Sequence, residues 1–196
     1  MVARNNPISL LTTWISEELE KGAPNPQHAI LSTAGKNSIP HGRVIAIREI
    51  NEQGLLFFTQ RGTRKVDEMT HNPMVSLTFW FELFEREVMI DGSVRALSES
   101  ENKAYWDTYP PFAQIRFHSY APTSSQVISS KQLIENKRKI LTSQFQDKLL
   151  PMSKYYCGFR IIPTRMVFYT YRTDELSDVI QYCFIKSNWE KNQLSP

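Results

Sequence analysis

The sequence predicts an α+β fold, mainly β, in which an antiparallel sheet closes into a barrel flanked by helices. Five strand-like segments fall between residues 29 and 97, and short links with few helices join them. A parallel sheet would need a crossover helix between successive strands, so the short links favour antiparallel pairing. The 196 residues, 41% of them hydrophobic, suffice for one domain with a buried core. We therefore expect a single domain over residues 1–196.

An amphipathic helix is predicted near the N-terminus, at about residues 8–21. Apolar side chains recur there at helical spacing, from Leu10 to Leu19, with acidic residues between them. Gly22 is expected to end the helix. The pattern indicates that one face of this helix packs against the rest of the protein.

Strands and further helices follow along the chain. Turn residues such as Gly35 and Gly54 separate the strand-like segments. Strands are predicted at residues 29–34, 40–48, 55–59, 74–81, 87–97, 156–162, 165–171 and 178–186. Three helices are predicted between the fifth and sixth of these strands, at residues 98–108, from Phe112 onward, and at 129–146. Ser98 is expected to cap the first of them, with Glu101 as its capping-box partner.

The composition argues against several functional classes. The net charge is only +3 and charges of both signs are interspersed, so neither nucleic acid nor a membrane surface is the expected partner. No apolar run is long enough to span a membrane, and the first residues lack the apolar segment of a secretory signal. Cys157, Cys183 and the four histidines match no metal-ligand or redox spacing. We expect a cytoplasmic protein without a metal.

One segment has the features of a phosphate-binding site. Residues 57–65 read as a strand end, a polar turn and the two adjacent cations Arg64 and Lys65. A short helix is predicted from Val66 to His71, with Thr63 as its N-cap and Pro73 beyond its end. A helix N-terminus beside two cations suits a phosphate monoester. The alternative is a solvated turn with an exposed Arg-Lys pair.

Several separated motifs follow one another in a fixed order along nearly the whole chain. They are Gly42–Arg48, Phe57–Thr59, Gly62–Lys65, Asn72–Pro73, Glu85–Gly92, Gly158–Arg160 and the terminal Leu194–Pro196. In this order they resemble the pyridoxamine 5′-phosphate oxidase family of FMN flavoproteins. The resemblance implies an FMN-binding split β-barrel that forms a homodimer with two FMN molecules at the subunit interface.

The resemblance also implies which residues hold FMN. Arg43, Arg64 and Lys65 match the family's contacts to the FMN phosphate, and their chemistry agrees, because guanidinium and ammonium groups make charge-assisted hydrogen bonds to phosphate. The other cofactor-binding candidates are Val44, Ile45, Arg48, Phe58, Thr59, Glu87, Ser124, Ser125 and Tyr169. In the family, a tyrosine, a glutamine, a tryptophan and an arginine stand where this chain has Phe58, Glu87, Tyr169 and Val179.

Some of these residues have a second interpretation. Strict strand alternation puts Arg43 and Arg48 on opposite faces, so both reach one FMN only if the strand bends, bulges or ends between them. Arg48 and Glu87 could equally form an ion pair across neighbouring strands. Phe58 and Tyr169 are also consistent with barrel packing, and the four tryptophans are interpreted as packing residues.

The substrate side departs from the family pattern. Tyr105 is kept, but Tyr109 replaces an arginine that binds the substrate phosphate, and Ala113 replaces a serine. Residues 175–177, Glu-Leu-Ser, stand where the family has Arg-Leu-His, which reverses one charge. The substrate-binding candidates are Arg48, Tyr105 and Tyr109. No catalytic residue is assigned, because a bound flavin carries the chemistry in this family.

Three functional hypotheses follow from the resemblance. The first is an FMN-dependent oxidase that takes a hydride from a small aromatic substrate, not necessarily phosphorylated, and passes the electrons to oxygen. The second is an authentic pyridoxine/pyridoxamine 5′-phosphate oxidase in which Arg48, Arg116 or Arg172 supplies the missing charge. The third is a split-barrel protein that binds FMN without turnover. The retained flavin side and altered substrate side favour the first.

Overall fold

The structure, a computed structural model, describes residues 6–146 and 148–196. The helices of this part are α1 (Pro7–Glu20), α2 (Arg64–His71), α3 (Glu99–Trp106), α4 (Pro111–Tyr120) and α5 (Lys131–Phe145). The strands are β1 (His28–Ala34), β2 (Pro40–Ala46), β3 (Glu49–Asn51), β4 (Gly54–Gln60), β5 (Met74–Phe81), β6 (Arg86–Ala96), β7 (Tyr156–Thr170), β8 (Asp178–Ile185) and β9 (Asn188–Leu194). None of the described helices is long and apolar enough to cross a membrane.

One sheet contains all nine of these strands. Its order is β2-β1-β5-β6-β7-β4-β3, while β8 pairs with β7 and β9 pairs with β8. Every pairing with a defined register is antiparallel. The predicted α+β class with an antiparallel sheet is therefore confirmed.

The two ends of this sheet meet. The sheet order begins with β2 and ends with β3, yet only Ile47 and Arg48 separate these strands along the chain. Three Cα-to-Cα steps from the end of β2 to the start of β3 cover at most about 11 Å. The Ile47 amide still donates to Gln27 O at 3.1 Å, and the Arg48 amide already donates to Leu56 O at 2.7 Å. The sheet therefore curls round into a barrel, as predicted.

The predicted strands differ from the structure in four places. The strand expected at 40–48 ends at Ala46, because the chain changes partner at Ile47 and Arg48. The two strands expected at 156–162 and 165–171 are one strand, β7, which contains Pro163. A Cβ on Gly92 would lie 2.4 Å from Ile162 O, so glycine is needed where β7 approaches β6 this closely. The other two errors are the omission of β3, a strand of only 3 residues, and of β9, a mostly exposed polar strand without apolar alternation.

The chain divides into two compact units. Unit 1 comprises Met1–Phe57, Glu68–Arg95 and Phe159–Pro196, and unit 2 comprises Phe58–Asp67 and Ala96–Gly158. The single domain over residues 1–196 stays a prediction.

In unit 1, helix α1 packs against the sheet as its amphipathic pattern predicts. The Trp14 ring meets Phe168 edge-on at 5.1 Å between ring centroids, and Leu11 is fully buried. Glu18 is only 2% exposed, and its carboxylate accepts the backbone N–H groups of Leu83 and Phe84 at 3.3 and 2.9 Å. These bonds satisfy a buried carboxylate and fix the turn between β5 and β6.

In unit 2, an aromatic cluster forms the core. Trp106 is fully buried and donates its Nε1–H to Leu150 O at 2.9 Å. Buried Asn102 accepts from Gly158 N at 2.7 Å and donates to Leu97 O, which fixes α3 to the chain at both points. The capping box between Ser98 and Glu101 is present as predicted.

Candidate functional site

The turn between β4 and α2, in unit 2, leads into a helix that starts two residues earlier than predicted. Helix α2 begins at Arg64, so Thr63 occupies the N-cap position. The Thr63 carbonyl accepts from Val66 N at 2.9 Å, and the Thr63 hydroxyl donates to Gln60 O at 2.9 Å. Because Thr63 is only 2% exposed, these bonds fix the turn from its buried side.

Two cations open α2 on the outer side of this turn. Arg64 is exposed, whereas Lys65 is half-buried and its Nζ donates to Thr59 Oγ1 at 3.2 Å. Helix N-termini attract anions through their aligned backbone dipoles. The start of α2 therefore presents a guanidinium, an ammonium and a threonine hydroxyl, a donor set that suits a phosphate monoester.

In unit 1, Arg43 belongs to a network with Thr33, His41 and Glu68, which we call the Glu68 network. Arg43 Nη1 donates to Thr33 Oγ1 at 2.5 Å and to Leu31 O at 3.2 Å, and Nη2 lies 3.4 Å from Glu68 Oε2. The Thr33 hydroxyl donates to Glu68 Oε2 at 2.5 Å, and His41 Nδ1 lies 2.6 Å from Glu68 Oε1. No motif or spacing in the sequence indicates this network.

The Glu68 network holds a charged carboxylate in a buried place. The Glu68 side chain is 8% exposed, and burial by itself raises the pKa of its carboxyl. Hydrogen bonds from Thr33 and His41 and the charges of His41 and Arg43 outweigh burial, so the pKa lies below its usual value. Glu68 therefore stays ionised and anchors Arg43. It lies four residues after Arg64 in the same helix.

The three remaining candidates around β2, also in unit 1, differ in exposure. Val44 is 65% exposed, whereas Ile45 is 9% exposed and belongs to the core, because alternate residues face opposite sides of a strand. Arg48 is exposed in the link after β2. The strand thus ends between Arg43 and Arg48, one of the three conditions under which both residues could reach one ligand.

Trp80, Tyr169 and Tyr171 form an aromatic surface in unit 1 that we call the aromatic platform. Tyr169 is thus part of the platform, and Glu87 lies beside it. The Tyr169 and Tyr171 ring centroids are 4.3 Å apart, and Trp80 meets Tyr171 edge-on at 5.6 Å. The Tyr171 hydroxyl donates to Glu87 Oε2 at 3.2 Å. Trp80 is 49% exposed and Tyr171 42%, so Trp80 packs against Tyr171 on one side and leaves about half of its surface open on the other.

Arg48 and Glu87 form no ion pair in the part of the chain that the structure describes. Glu87 lies on β6, whose neighbours in the sheet are β5 and β7, whereas Arg48 precedes β3 at the end of the sheet order. The proposed pairing across neighbouring strands is therefore wrong.

The substrate candidates Tyr105 and Tyr109 lie in unit 2, beside Phe58. The ring centroid of Phe58 is 5.1 Å from that of Tyr105 and 6.2 Å from that of Tyr109. Phe58 also stacks on buried Tyr156 at 5.0 Å. Phe58, Tyr105 and Tyr109 are all half-buried, so each ring packs against the aromatic core on one side and is exposed to solvent on the other.

Ser124 and Ser125 follow α4 in unit 2. Ser124 is half-buried, and Ser125 is exposed with a φ of 63°. Gln60 Nε2 donates to Pro122 O at 2.5 Å, which ties this segment to the end of β4. Because this bond holds Pro122 at Gln60, the residue after Thr59, the two serines follow closely along the chain from a fixed position.

In unit 1, the loop between β7 and β8 neutralises its own arginine. Arg172 Nη1 lies 2.5 Å from Glu175 Oε1, and Arg172 Nη2 lies 2.9 Å from Asp178 Oδ2. The Arg172 amide also donates to Ser177 Oγ at 3.2 Å. This loop contains residues 175–177, where the sequence departs from Arg-Leu-His, and its cation already has two carboxylate partners.

Cys157 is not an activated nucleophile. Burial raises the pKa of its thiol to about 11, against the weaker lowering effect of Arg61 and Lys65. Its Sγ lies 3.6 Å from Thr59 O as a weak donor. The thiol is a core group next to the phosphate candidates, not a reactive one.

Comparison with known proteins identifies the relatives of this chain. A family model described as "Pyridoxamine 5′-phosphate oxidase" matches residues 15–137, and one described as "Pyridoxine 5′-phosphate oxidase C-terminal dimerisation region" matches residues 156–196. The pyridoxine/pyridoxamine 5′-phosphate oxidase of Alteromonas mediterranea is 33% identical over 193 residues, which cover 98% of this chain and 90% of that protein. The enzyme of the same name from Nostoc punctiforme is 31% identical, covering 97% and 89%. The chain belongs to the pyridoxamine 5′-phosphate oxidase family.

Solved structures agree with this membership. PhzG from Burkholderia lata 383, solved in complex with tetrahydrophenazine-1-carboxylic acid, is 25% identical with a TM-score of 0.87, covering 100% of this chain and 95% of that one. A pyridoxamine 5′-phosphate oxidase-related, FMN-binding protein from Nostoc punctiforme has the same fold, with a TM-score of 0.77 at 14% identity and coverage of 97% and 98%. The predicted split-barrel fold is confirmed, and the matched dimerisation region supports a homodimer.

The family pattern identifies candidate site residues, whereas the structure adds the residues that bind them. Carrying the pattern over finds Arg43, Glu87 and Tyr169, but not the groups that hold them. Glu68 binds Arg43 from 25 residues away and Tyr171 binds Glu87 from 84 residues away, so neither pair has a local sequence signal. Trp80 could have been found, because it lies directly opposite Glu87 in the hairpin formed by β5 and β6.

Proposed function

We propose that this protein is an FMN-dependent oxidase that acts on a small aromatic substrate for which a phosphate group is not required. The observation that carries the proposal is the start of α2, where Arg64 is exposed and Lys65 donates to Thr59, in a member of the pyridoxamine 5′-phosphate oxidase family. When bound, FMN accepts a hydride from the substrate and passes the electrons to oxygen.

The proposed FMN phosphate contacts are Arg43, Arg64 and Lys65. Their donors match the charge and oxygen geometry of a phosphate. Anchoring of Arg43 by Glu68 lowers the entropy that this long side chain would lose on binding. Thr59, Ser124 and Ser125 add hydroxyl donors.

The proposed contacts to the flavin ring are the remaining candidates of the family pattern. Val44 and Phe58 offer exposed or half-exposed apolar surface, and Tyr169 offers a ring face. Ile45 is buried, so it would act through its backbone. Glu87 would bring a carboxylate where the family has an amide, and a negative charge there disfavours an anionic reduced flavin.

The substrate side supports an unphosphorylated substrate. Tyr109 stands in place of a phosphate-binding arginine, and its ring packs with Phe58 instead. Arg172, one of the cations that could replace the missing charge, is bound to two carboxylates through Nε, Nη1 and Nη2, whereas Arg43 has one carboxylate contact in the Glu68 network, through Nη2. A phosphate ester at Arg172 would have to displace both of its carboxylates.

An authentic pyridoxine/pyridoxamine 5′-phosphate oxidase is the second candidate. It is favoured by the names of curated relatives that are 27–33% identical over nearly the full chain. In that case the exposed residues Arg48 or Arg116 would bind the substrate phosphate. Both candidates share the FMN site, and they differ in the substrate alone.

Flavin retention tests the shared site. The double variant Arg64→Ala/Lys65→Ala should weaken FMN binding about 100-fold or more, because each charged hydrogen bond contributes roughly 1.5–3 kcal/mol. Arg61→Ala is the matched control, because Arg61 is an exposed cation of the same turn that pairs with Glu99 at 3.5 Å. FMN affinity is measured by quenching of flavin fluorescence. An unchanged affinity in the double variant would overturn the phosphate assignment.

Anaerobic reduction separates the two candidates. Pyridoxine 5′-phosphate or pyridoxamine 5′-phosphate is added to the FMN-loaded protein, and the visible flavin band is followed. We expect slower bleaching with these vitamers than with the best unphosphorylated aromatic reductant in a panel. Rapid bleaching by the phosphorylated vitamers alone would make the authentic oxidase the correct assignment.

A further inference from the structure

A groove between α4 and α5, in unit 2, has no part in the proposed FMN site. It contains a cavity of about 840 Å³, a size common for pockets that bind small ligands. On α5 the lining residues recur at helical spacing, at positions 131, 134, 135, 138 and 142. Side chains at this spacing share one face of a helix, so the cavity follows α5 for most of its length.

Contacts outside the groove lining hold the two helices together. Lys137 Nζ donates to Ala121 O at 2.9 Å, which ties α5 to the end of α4. Leu141 and Phe145 of α5 pack against the aromatic cluster of unit 2, which also contains Phe117 of α4. Because none of these side chains lines the groove, its walls are in place before a ligand binds, and little reorganisation opposes binding.

Aliphatic side chains form the floor of this groove. Ile115 of α4 is 5% exposed, and Ile134 of α5 is half-buried. From Lys131 to Thr142 the lining extends over eleven residue steps of the helix, a rise of about 16 Å. A long apolar floor suits an extended hydrocarbon chain, because the chain can bury its methylene groups along it.

The groove also carries a positive charge. Among the described residues, its lining has three cations, Arg116, Lys131 and Arg138, and one carboxylate, Glu135. Glu135 pairs with Arg138 at 2.9 Å. Arg116 and Lys131 have no carboxylate partner in the part of the chain that the structure describes, so two positive charges remain for a ligand.

Tyr120 adds a neutral hydroxyl donor beside Arg116. The two residues are four apart in α4, which places them on the same face. Burial raises the pKa of the Tyr120 hydroxyl, and the charge of nearby Arg116 lowers it to a smaller extent. The hydroxyl therefore stays protonated, and together with the guanidinium it can donate to a single carboxylate.

We propose that the groove between α4 and α5 binds a small aliphatic carboxylate, with its carboxylate at Arg116 and Tyr120 and its chain along Ile134. The positive lining repels an alkylammonium ion, and the apolar floor gives a small polar anion nothing to bury. The groove contains none of the residues proposed to contact FMN. The inference therefore goes beyond the proposed function and does not depend on it.

The first test compares probes with one chain length and different head groups. Octanoate, octan-1-ol and octylammonium are titrated into the protein as purified, and binding is measured by calorimetry. We expect one octanoate per chain, bound about threefold or more tighter than octan-1-ol, with the ammonium ion weakest. Acetate should bind much more weakly than octanoate, because it lacks the chain. Equal or tighter binding of octan-1-ol or octylammonium, or no saturable binding of octanoate, would overturn the proposal.

An arginine variant locates the carboxylate. Arg116→Gln should weaken octanoate about threefold or more and leave octan-1-ol unchanged, whereas Arg116→Lys, which keeps the charge, should lose less. Lys139→Gln is the matched control, because Lys139 is an exposed cation of α5 that does not line the groove. If Arg116→Gln binds octanoate as tightly as the unaltered protein does, the carboxylate is not at Arg116.

A second variant locates the chain. Ile134→Ser should weaken octanoate and octan-1-ol alike, by about threefold or more, because apolar surface is lost from the floor. Leu133→Ser is its matched control, since Leu133 is 59% exposed on the same helix and lies outside the groove lining. Thermal melts verify that each variant is folded. Equal effects of the two substitutions would mean that the chain does not lie along Ile134.

A competition experiment separates this site from the second candidate function, which places Arg116 at the substrate phosphate. Pyridoxine 5′-phosphate is added to the protein, and the octanoate titration is repeated. We expect the affinity for octanoate to stay unchanged. Displacement of octanoate by the vitamer would assign Arg116 to the substrate of an authentic oxidase and overturn the inference.

Discussion

Two arginine–carboxylate networks in unit 1 use the same chemistry in different surroundings. In the Glu68 network, a carboxylate with 8% exposure binds Thr33, His41 and Arg43. In the loop between β7 and β8, Arg172 binds Glu175 and Asp178, and all three side chains are more than 40% exposed. The first network is part of the framework of the sheet, and the second neutralises a surface loop.

Burial decides what each network contributes. A buried carboxylate that loses its partners stays desolvated, so each lost partner costs stability. An exposed carboxylate that loses a partner is hydrated instead, and exposed pairs typically contribute little. We therefore expect the Glu68 network to affect folding and the Arg172 network to affect mainly the charge that a ligand meets.

The largest expected effect is that of Glu68→Ala. It removes the shared acceptor of three donors and leaves the Arg43 charge half-buried, which should lower the free energy of unfolding by roughly 1–3 kcal/mol. Urea unfolding of the flavin-free protein measures this. Glu175→Ala is the matched control and should change stability by less than about 1 kcal/mol. Equal losses in the two variants would mean that burial does not separate the networks.

The second expectation concerns pH. Because the native pKa of Glu68 lies below its value in the unfolded chain, the unfolded state binds more protons in the interval between them. Glu68 thus stabilises the fold above the ordinary glutamate pKa of about 4.3, and this contribution is lost as pH falls through the native value. Unfolding measured from pH 6 downward should show a steeper decline for the unaltered protein than for Glu68→Gln. If the free energy of unfolding falls with pH equally in both proteins, Glu68 is not the cause of the decline.

The smallest expected effect is that of Arg172→Ala. The free energy of unfolding should change by less than about 1 kcal/mol, because this guanidinium is 41% exposed and its partners can be hydrated. A stability loss as large as that of Glu68→Ala would contradict the comparison.

The sequence was informative where the determining contacts are short-range. Ser98 and Glu101 specify a capping box three residues apart, and the Arg64–Lys65 pair follows its N-cap directly. The order of separated motifs identified the family and hence the fold. Strand ends were less predictable, because β2 ends where the Arg48 amide donates its hydrogen bond to Leu56 O, a residue of another strand.

What the sequence determined by itself was the class of fold, the family and the residue types that could hold a phosphate and a flavin, because these are properties of local pattern and motif order. Only the tertiary structure decided which of those residues are anchored and by what. Glu68 contacts Thr33 across 35 residues, and Trp80 of β5 packs against Tyr171, the residue after β7. The curl and register of the sheet determine such partners, because they bring residues that are distant in sequence into contact. These contacts have no characteristic spacing in the sequence.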